Sequence, residues 1–301
     1  MLIGIEELML VTFVLVDDWY NQVGKNLLNR TVGSKPDFSD SELLTIMLSM
    51  DFFEFSSERR YVAFLRANYR HLFPEMLTQS QYNRRARSLR LLLNELRKSW
   101  ASDLGVQFEN HFLLDTTPVI AVGYRRNKRH SQFRGSADYG YCAARRMHYF
   151  GYKFVLLSTL KGIPYAFELV PANTDEREAA DQILEYLPPY SNVWSDKGFI
   201  GEDWQSLWFE DALIHIWTTK RENQKQQNPK VFDQLLNRVR DRIETVNDLL
   251  KEGGRTIEHT LAHTVSGMVS RIIAKITSLT FRIYLRKFFG IDTLTYTVNQ
   301  I

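Results

Sequence analysis

A change in hydrophobic pattern near residue 105 divides this 301-residue chain into two parts. Before it, apolar residues recur at the three- and four-residue spacing of helices, and Ser39 or Asp40 is a predicted helix start. After it, short apolar runs that favour strands alternate with helical segments. The pattern therefore predicts an all-α N-terminal domain at residues 1–104, an α/β domain at 105–290 and a tail at 291–301.

Composition limits the kinds of protein that this chain can be. It is 44% hydrophobic, which is enough to bury a substantial core in about two domains. Cys142 is the single cysteine, which excludes an intramolecular disulfide and a cysteine-rich zinc site and fits a reducing cytoplasm. No apolar run approaches the roughly 20 residues that cross a bilayer, so we expect no membrane contact.

The second part has the element order strand, strand, strand, helix, strand, helix, strand, helix. The predicted strands lie near residues 112–115, 154–160, 165–170, 193–196 and 213–217, and the predicted helices lie near 174–187, 202–211 and 231–251. The first three strands read as an antiparallel meander. This is the element order of a ribonuclease-H-like domain, so the predicted fold is α/β, with a mixed five-stranded sheet flanked by helices.

Three carboxylates carry the chemical prediction. Asp115 and Asp196 end the first and fourth predicted strands, and Glu244 lies in the last predicted helix. If the first and fourth strands are neighbours, the two aspartates meet at one edge of the sheet. Carboxylates are the ligands that Mg²⁺ and Mn²⁺ prefer, and two such ions can assist both oxygens in a phosphodiester displacement. The sequence therefore predicts an enzyme that uses two Mg²⁺ or Mn²⁺ ions to act on phosphodiesters.

The helix that holds Glu244 provides an internal test of this prediction. One side of it carries Arg240, Glu244 and Lys251, and the opposite side is apolar. Arg240 and Glu244 are also an ordinary i,i+4 ion pair, so a solvated helix face is an equal alternative.

Other acids in the same domain compete with the three chosen ones, namely Asp138, Glu168, Asp175 and Asp181. Asp175 has the position of a helix cap, and Asp181 lies on a predicted surface helix, so a structural role is favoured for both. Glu168 lies within a predicted strand and stays a rival.

Two cationic segments indicate a polyanionic partner. Residues 58–98 hold ten Lys or Arg against three Glu, and Arg84, Arg85 and Arg87 lie in a helical pattern that a helix-turn-helix DNA reader would present. Residues 124–161 hold nine Lys or Arg, including Arg125 and Arg126, against one acid. Tyrosines between these cations would suit base stacking. A solvated helix face and a solvated loop are the alternatives.

These motifs resemble those of the DDE transposases of bacterial insertion sequences. Residues 113–118 are similar to the first-aspartate motif, and residues 195–199 are similar to the second, with its Asp-Lys-Gly-aromatic continuation. Arg240, Glu244 and Lys251 fit the Tyr-Arg-Glu-Lys signature, although Asn237 stands where that signature has Tyr. The resemblance covers residues 105–290.

The resemblance implies roles for these residues. Asp115, Asp196 and Glu244 would bind two Mg²⁺ ions, while Lys197, Arg240 and Lys251 would contact DNA. The implied function is that of a transposase, which cuts double-stranded DNA at the transposon ends and joins the exposed 3′-hydroxyl to target DNA. Pairing of two ends implies a homodimer or a larger assembly.

Two other functions stay open. One is a nuclease of the same fold that cleaves without strand transfer. The other is a non-catalytic DNA-binding protein derived from a transposase, which would act through its N-terminal helices.

Overall fold

A computed structural model describes residues 3–28, 36–122, 132–143, 145–220 and 228–294. The chain forms two compact units. Unit 1 takes Met1–Leu104 together with Leu250–Ile301, and unit 2 takes Gly105–Leu249. Unit 2 thus begins at the residue where the sequence pattern changes.

The first part of unit 1 is helical, as predicted. Its helices are α1 (Ile5–Trp19), which continues through a π-helical turn at Tyr20–Gly24 into α2 (Lys25–Leu27), then α3 (Asp40–Ser49), α4 (Glu58–Asn68), α5 (Gln79–Ser88) and α6 (Arg90–Asp103). A 3-10 turn at Met50–Phe52 follows α3. The predicted start of α3 is confirmed, because the Ser39 side chain accepts from the Glu42 backbone N–H and the Glu42 carboxylate accepts from the Ser39 backbone N–H.

Unit 2 consists of a mixed sheet and its flanking helices. After a 3-10 turn at Val106–Phe108, the strands are β1 (His111–Val122), β2 (Asp138–Cys142), β3 (Met147–Thr159), β4 (Pro164–Pro171), β5 (Asn192–Ser195) and β6 (His215–Thr218). The helices are α7 (Glu176–Leu184) before β5, α8 (Glu202–Ala212) before β6, and α9 (Lys230–Lys251) after β6, with a 3-10 turn at Lys197–Phe199.

The sheet has the order β2-β3-β1-β5-β6, and β4 also pairs with β3. β3 runs antiparallel to β1, β2 and β4, whereas β1, β5 and β6 are mutually parallel. The predicted meander, the mixed sheet and the neighbouring positions of the first and fourth predicted strands are therefore confirmed.

The sheet differs from the prediction in two strands. It has six described strands instead of five, because part of the cationic segment at 124–161 forms β2. In addition, β1 does not end at Asp115 but continues to Val122 along β3. β5 pairs only with His111 to Leu114, so the rest of β1 lacks that neighbour and tolerates Pro118, which has no backbone N–H to donate.

Each face of the sheet packs on helices. Phe112, Leu114 and Val193 are buried in a cluster with Ala180 and Ile183 of α7. Leu113 and Trp194 point the other way, into a cluster with Leu236, Val239 and Ile243 of α9. Strands buried on both faces explain why these segments read as continuous apolar runs.

The last helix of the described chain is α10 (Val265–Phe289). The predicted α/β domain extended to residue 290, whereas α10 belongs to unit 1 and packs on α6, α3 and α5. Trp100 of α6 stacks on Phe281 with 4.6 Å between ring centroids. An apolar helix face predicts burial but not the partner. No helix in the described ranges is long and apolar enough to span a membrane.

Candidate active site

Asp115 of β1 and Asp196, which directly follows β5, occupy corresponding positions along two neighbouring strands. In the parallel pairing of β1 with β5, Leu113 is opposite Trp194 and Leu114 is opposite Ser195. Asp115 is the next residue of β1 and Asp196 is the first residue after β5, and neighbouring strands lie about 4.8 Å apart. The fold thus brings together two carboxylates that 80 intervening residues separate in sequence.

Both aspartates belong to the sheet face that α9 covers. Side chains alternate between faces along a strand, so Asp115 shares a face with Leu113 and Asp196 shares one with Trp194. Leu113 and Trp194 are both buried against α9. The backbone of Asp196 is still extended, with φ −80° and ψ 173°, so the alternation holds there too.

Asn247 connects α9 to Asp115. Its side-chain amide donates a short hydrogen bond to Asp115 Oδ2, and its Oδ1 accepts from the Thr117 hydroxyl at 3.3 Å. The Thr116 backbone N–H donates to Asp115 Oδ1 at 2.7 Å. Asn247 is 5% exposed. Sequence reasoning missed this residue, although its place one turn after Glu244 was a usable signal.

Glu244 is exposed on α9, one turn before Asn247. The predicted apolar side of this helix is confirmed, since Val239, Ile243, Val246 and Leu250 are buried. Carboxylates of this kind have the hard oxygen donors that Mg²⁺ and Mn²⁺ prefer. Within the described ranges, however, no group of three or more acidic, His or Cys side chains is arranged to hold a metal ion. The structure therefore brings Asp115 and Asp196 to one face, but it does not form a three-carboxylate metal cluster.

A fourth carboxylate, Glu176, lies next to both aspartate segments. The Thr116 hydroxyl donates to Glu176 Oε1 at 3.1 Å. A Cβ added at Gly198 would lie 1.7 Å from Glu176 Oε2, so the carboxylate packs directly on that glycine. The pKa of Tyr149 is raised to about 12, mainly by burial and to a smaller extent by Cys142 and Glu176. Sequence reasoning missed Glu176 as a residue near the site.

Two of the rival acids have structural roles. Asp175 is the N-cap of α7 and accepts from the Arg177 backbone N–H at 3.0 Å. Asp181 accepts from the indole N–H groups of Trp204 and Trp208 at 2.7 and 2.8 Å, which joins α7 to α8.

Glu168 and Asp138 are also separated from Asp115. Glu168 is paired with Val155 across β4 and β3, and Val155 is buried on the α7 side. Asp115 is paired with Leu156, the next residue of β3, so it points to the opposite face. Asp138 lies on β2 and accepts from the Asn173 side chain at 3.2 Å.

The residues predicted to contact DNA around the site differ in how exposed their side chains are, and three of these side chains are not described. Lys197 is exposed in the turn after Asp196. Lys251 is partly buried at the end of α9, 3.8 Å from the Glu258 carboxylate. The Arg240 backbone lies in α9, but its side chain falls outside what the structure describes, as do Arg125 and Arg126.

Three of the rings proposed for base stacking lie in the core. Tyr149 and Tyr152 of β3 and Phe133 are buried, and the Ser136 hydroxyl shares a 2.6 Å hydrogen bond with Tyr152. Tyr141 is 55% exposed. Phe133, Tyr149 and Tyr152 therefore do not form a stacking surface, whereas Tyr139 is half-buried and Tyr124 lies outside the described residues.

The predicted helix-turn-helix in unit 1 is not formed by α4 and α5, and DNA contact by the arginines of α5 stays a prediction. Residues 69–78 connect α4 to α5, whereas such a motif has a turn of about three or four residues. Two arginines of α5 are held by contacts within unit 1. Arg85 binds the Asp40 carboxylate at 2.8 Å and the Phe38 carbonyl at 2.7 Å, and Arg87 donates to the Asn83 carbonyl at 3.1 Å.

Three exposed arginines instead border a cavity of about 590 Å³ in unit 1, which we call the arginine groove. Arg66 belongs to α4, Arg70 follows it and Arg84 belongs to α5. None of the three has an ion-pair or hydrogen-bond partner among the residues that the structure describes. Asp37 and Glu75 line the same groove.

Comparison with known proteins adds one finding. A family model described as "Transposase DDE domain" matches residues 106–265, which is more than half of the chain. The matched range contains β1 to β6, α7 to α9, and the residues Asp115, Asp196 and Glu244. No curated protein and no solved structure matches the chain.

Proposed function

This chain belongs to the transposase DDE domain family, and from that membership we propose that it cuts double-stranded DNA at the ends of its transposon and joins the 3′-hydroxyl to target DNA. The observation that carries the proposal is the position of Asp115 and Asp196 on adjacent strands and on the face covered by α9. The same helix carries Glu244.

The proposed catalytic residues are Asp115, Asp196 and Glu244, which together would hold two Mg²⁺ or Mn²⁺ ions. Such ions would supply the Lewis acidity that phosphodiester cleavage and joining require. Asn247 restrains the Asp115 carboxylate through its amide, and the Thr116 backbone N–H holds the other oxygen. For Glu244 to join the two aspartates, its exposed side chain has to turn towards the sheet. Ion binding would favour that rotamer, because it would neutralise three converging negative charges.

The sheet supports a ribonuclease-H-like assignment for unit 2. Two antiparallel pairings, of β4 with β3 and of β3 with β1, continue into the parallel strands β5 and β6. The carboxyl ends of the parallel strands then form the edge at which open α/β sheets place their sites.

DNA contacts are proposed in both units. Around the active site the proposed residues are Lys197, Arg240, Lys251, Arg125 and Arg126. In unit 1 we propose the arginine groove, in which Arg84 acts with Arg66 and Arg70, while Arg85 and Arg87 hold α5 in place. Because two transposon ends have to be joined, we propose an active complex of at least two subunits.

The test of this function is DNA cleavage by Asp115→Asn, Asp196→Asn and Glu244→Gln variants. Each variant should lose Mg²⁺-dependent cleavage while still binding DNA, because it removes one ligand charge and keeps the side-chain size. Asp203→Asn, at an exposed carboxylate of α8, is the matched control and should cleave normally. Chelation with EDTA should stop wild-type cleavage.

Full activity in any of the three variants would remove that residue from the proposed site. Pre-cut DNA ends separate the rival functions, since only a transposase forms joined product from them. Cleavage without joining would identify a nuclease, and DNA binding without metal-dependent cleavage would identify a non-catalytic protein.

A further inference from the structure

Glu176 lies on the opposite side of the sheet from the two aspartates, yet it is linked to both. It is the first residue of α7 and is half-buried. Thr116 is paired with Val155, which points to the α7 side, so the Thr116 hydroxyl reaches Glu176 from that face. Glu176 is therefore not in position to be a third ligand on the α9 face.

The link to Asp115 has two steps. Glu176 Oε1 accepts from the Thr116 hydroxyl at 3.1 Å, which restrains the Thr116 side chain. The backbone N–H of the same threonine donates to Asp115 Oδ1 at 2.7 Å. A carboxylate that accepts from a fixed N–H keeps one orientation. Because Glu176 restrains Thr116, the Thr116 N–H in turn restrains the orientation of the Asp115 carboxylate.

The link to Asp196 passes through Gly198. This glycine lies in the 3-10 turn that starts directly after Asp196, and the Phe199 N–H donates to the Asp196 carbonyl at 3.1 Å. Gly198 does not have a positive φ, so its backbone conformation does not require glycine. What requires glycine is space, because a Cβ would lie 1.7 Å from Glu176 Oε2.

We propose that Glu176 is a positioning residue for the active site, which holds Asp115 through Thr116 and fixes the turn after Asp196 by packing on Gly198. This inference rests on the proposed function, because it assigns those aspartates to a metal site. It also explains the glycine of the Asp-Lys-Gly segment by a contact with the first residue of α7. The negative charge of Glu176 is tolerated there because the N-terminus of α7 carries a partial positive charge.

The test compares the full-length chain with four variants. Glu176→Ala removes both contacts, whereas Glu176→Gln keeps the size and one acceptor oxygen. Gly198→Ala displaces the carboxylate, and the double variant Glu176→Ala with Gly198→Ala restores the space. Glu178→Ala is the matched control, since it removes an exposed acid from the same first turn of α7.

Two quantities are measured, namely Mn²⁺ affinity by calorimetry without DNA and the rate of DNA cleavage. Glu176→Ala and Gly198→Ala should each weaken Mn²⁺ binding and slow cleavage by roughly 10- to 100-fold, as loss of an orienting partner around metal ligands does. Glu176→Gln should stay close to wild type. The double variant should be no worse than Glu176→Ala, because the clash is gone. Thermal unfolding midpoints of all variants show whether the fold is kept.

Wild-type values for Glu176→Ala, or an equal loss in Glu178→Ala, would overturn the inference. Additive losses in the double variant would also overturn it. These outcomes leave the proposed function intact as long as Asp115→Asn abolishes cleavage. If wild-type protein neither cleaves DNA nor binds Mn²⁺ in a manner that depends on Asp115, the proposed function fails, and this inference fails with it.

Discussion

Asn247 is the side chain through which α9 bonds to Asp115. A buried amide that both donates and accepts needs partners for each role, and here Asp115 and Thr117 provide them. This pairing, together with the apolar side of α9, restrains the rotation of α9 relative to β1. Because Glu244 lies one turn earlier on the same helix, the position of Glu244 depends on that contact as well.

We expect Asn247→Ala to lower metal-dependent cleavage by roughly 10- to 100-fold, since it removes an orienting partner of a proposed metal ligand. The free energy of unfolding should fall by about 1–3 kcal/mol, because the Thr117 hydroxyl is left buried without its acceptor. Steady-state cleavage and urea denaturation measure the two effects.

Thr245→Ala is the control on the same helix. Thr245 is exposed, and its hydroxyl donates within α9 to the Asp241 carbonyl at 2.8 Å. Its loss should leave cleavage unchanged. Equal activity of Asn247→Ala and wild type would show that the amide does not orient Asp115.

At the scale of elements, α4 and α5 present arginines in a way that the sequence did not indicate. The arginines of α5 attracted attention because they are adjacent in sequence, but two of them make contacts within unit 1. Arg66 and Arg70 lie more than ten residues before them and face the same cavity as Arg84. Guanidinium groups without a protein partner are well suited to bind phosphate oxygens.

The arginine groove predicts a change in the salt dependence of DNA binding. The triple variant Arg66→Gln, Arg70→Gln, Arg84→Gln should lower the slope of log K against log salt by about 0.9 for each lost phosphate contact, so by roughly 2 to 3 in total. Duplex binding measured between low and moderate salt without metal gives this slope.

A charge-matched control uses cations of unit 1 that do not line the groove. Lys25→Gln, Lys98→Gln and Arg286→Gln remove the same charge, and the triple Arg→Lys variant at the groove keeps it. For both control variants, the slope of log K against log salt should differ from the wild-type slope by less than about one. A loss of similar size in the first control would mean that net charge, and not the groove, determines binding.

At the scale of the whole molecule, a buried ion cluster joins distant parts of unit 1. Asp51 binds Arg255 at 2.5 and 3.2 Å and lies 3.6 Å from Lys275. All three side chains are at most 3% exposed. Burial alone would raise the pKa of Asp51, but Arg255 and Lys275 hold it below its usual value. The cluster connects the segment after α3 to the segment after α9 and to α10.

We expect Asp51→Asn to lower the free energy of unfolding by about 3–5 kcal/mol, because it leaves two buried cations without their counter-charge. The comparison is Asp292→Asn, which removes the partner of Arg286 in a solvent-exposed pair at 3.6 Å. That change should cost at most about 1 kcal/mol. Urea denaturation of both variants at neutral pH gives the difference.

The same cluster predicts a pH dependence with a defined sign. Since the pKa of Asp51 is lower in the folded chain than the ordinary value of 3.8, its stabilisation is fully present above about pH 4. It is lost as the pH falls through the folded pKa. The stability difference between wild type and Asp51→Asn should therefore shrink only in strongly acidic solution. A difference that already disappears near pH 6 would contradict this assignment.

Local patterns were sufficient for the elements and for part of the site. The capping box at Ser39, the apolar side of α9 and the strand ending before Asp196 are properties of residues that lie close together in sequence. The order of the strands in the sheet also followed from the order of elements along the chain, because short connections allow only a few sheet topologies. Neighbouring positions for Asp115 and Asp196 could be predicted on that basis.

Local patterns failed where a partner had to be chosen. The sequence showed that α10 has a buried face, but its partner could be the sheet or the helices of unit 1, and hydrophobicity does not distinguish them. The continuation of β1 to Val122 was missed, and Pro118 is acceptable there because β5 pairs only with the first part of the strand.

The amino-acid sequence by itself determined most of the strands and helices, which of their sides are apolar, and that Asp115 and Asp196 belong to neighbouring strand segments. Only the tertiary structure decided that Asn247 bonds to Asp115, that Glu176 packs on Gly198, and that Arg66, Arg70 and Arg84 have no partner among the described residues. The reason is the range of the interactions involved. Periodicity and capping act over one or two turns, whereas these contacts depend on how whole elements pack, and no local pattern records that.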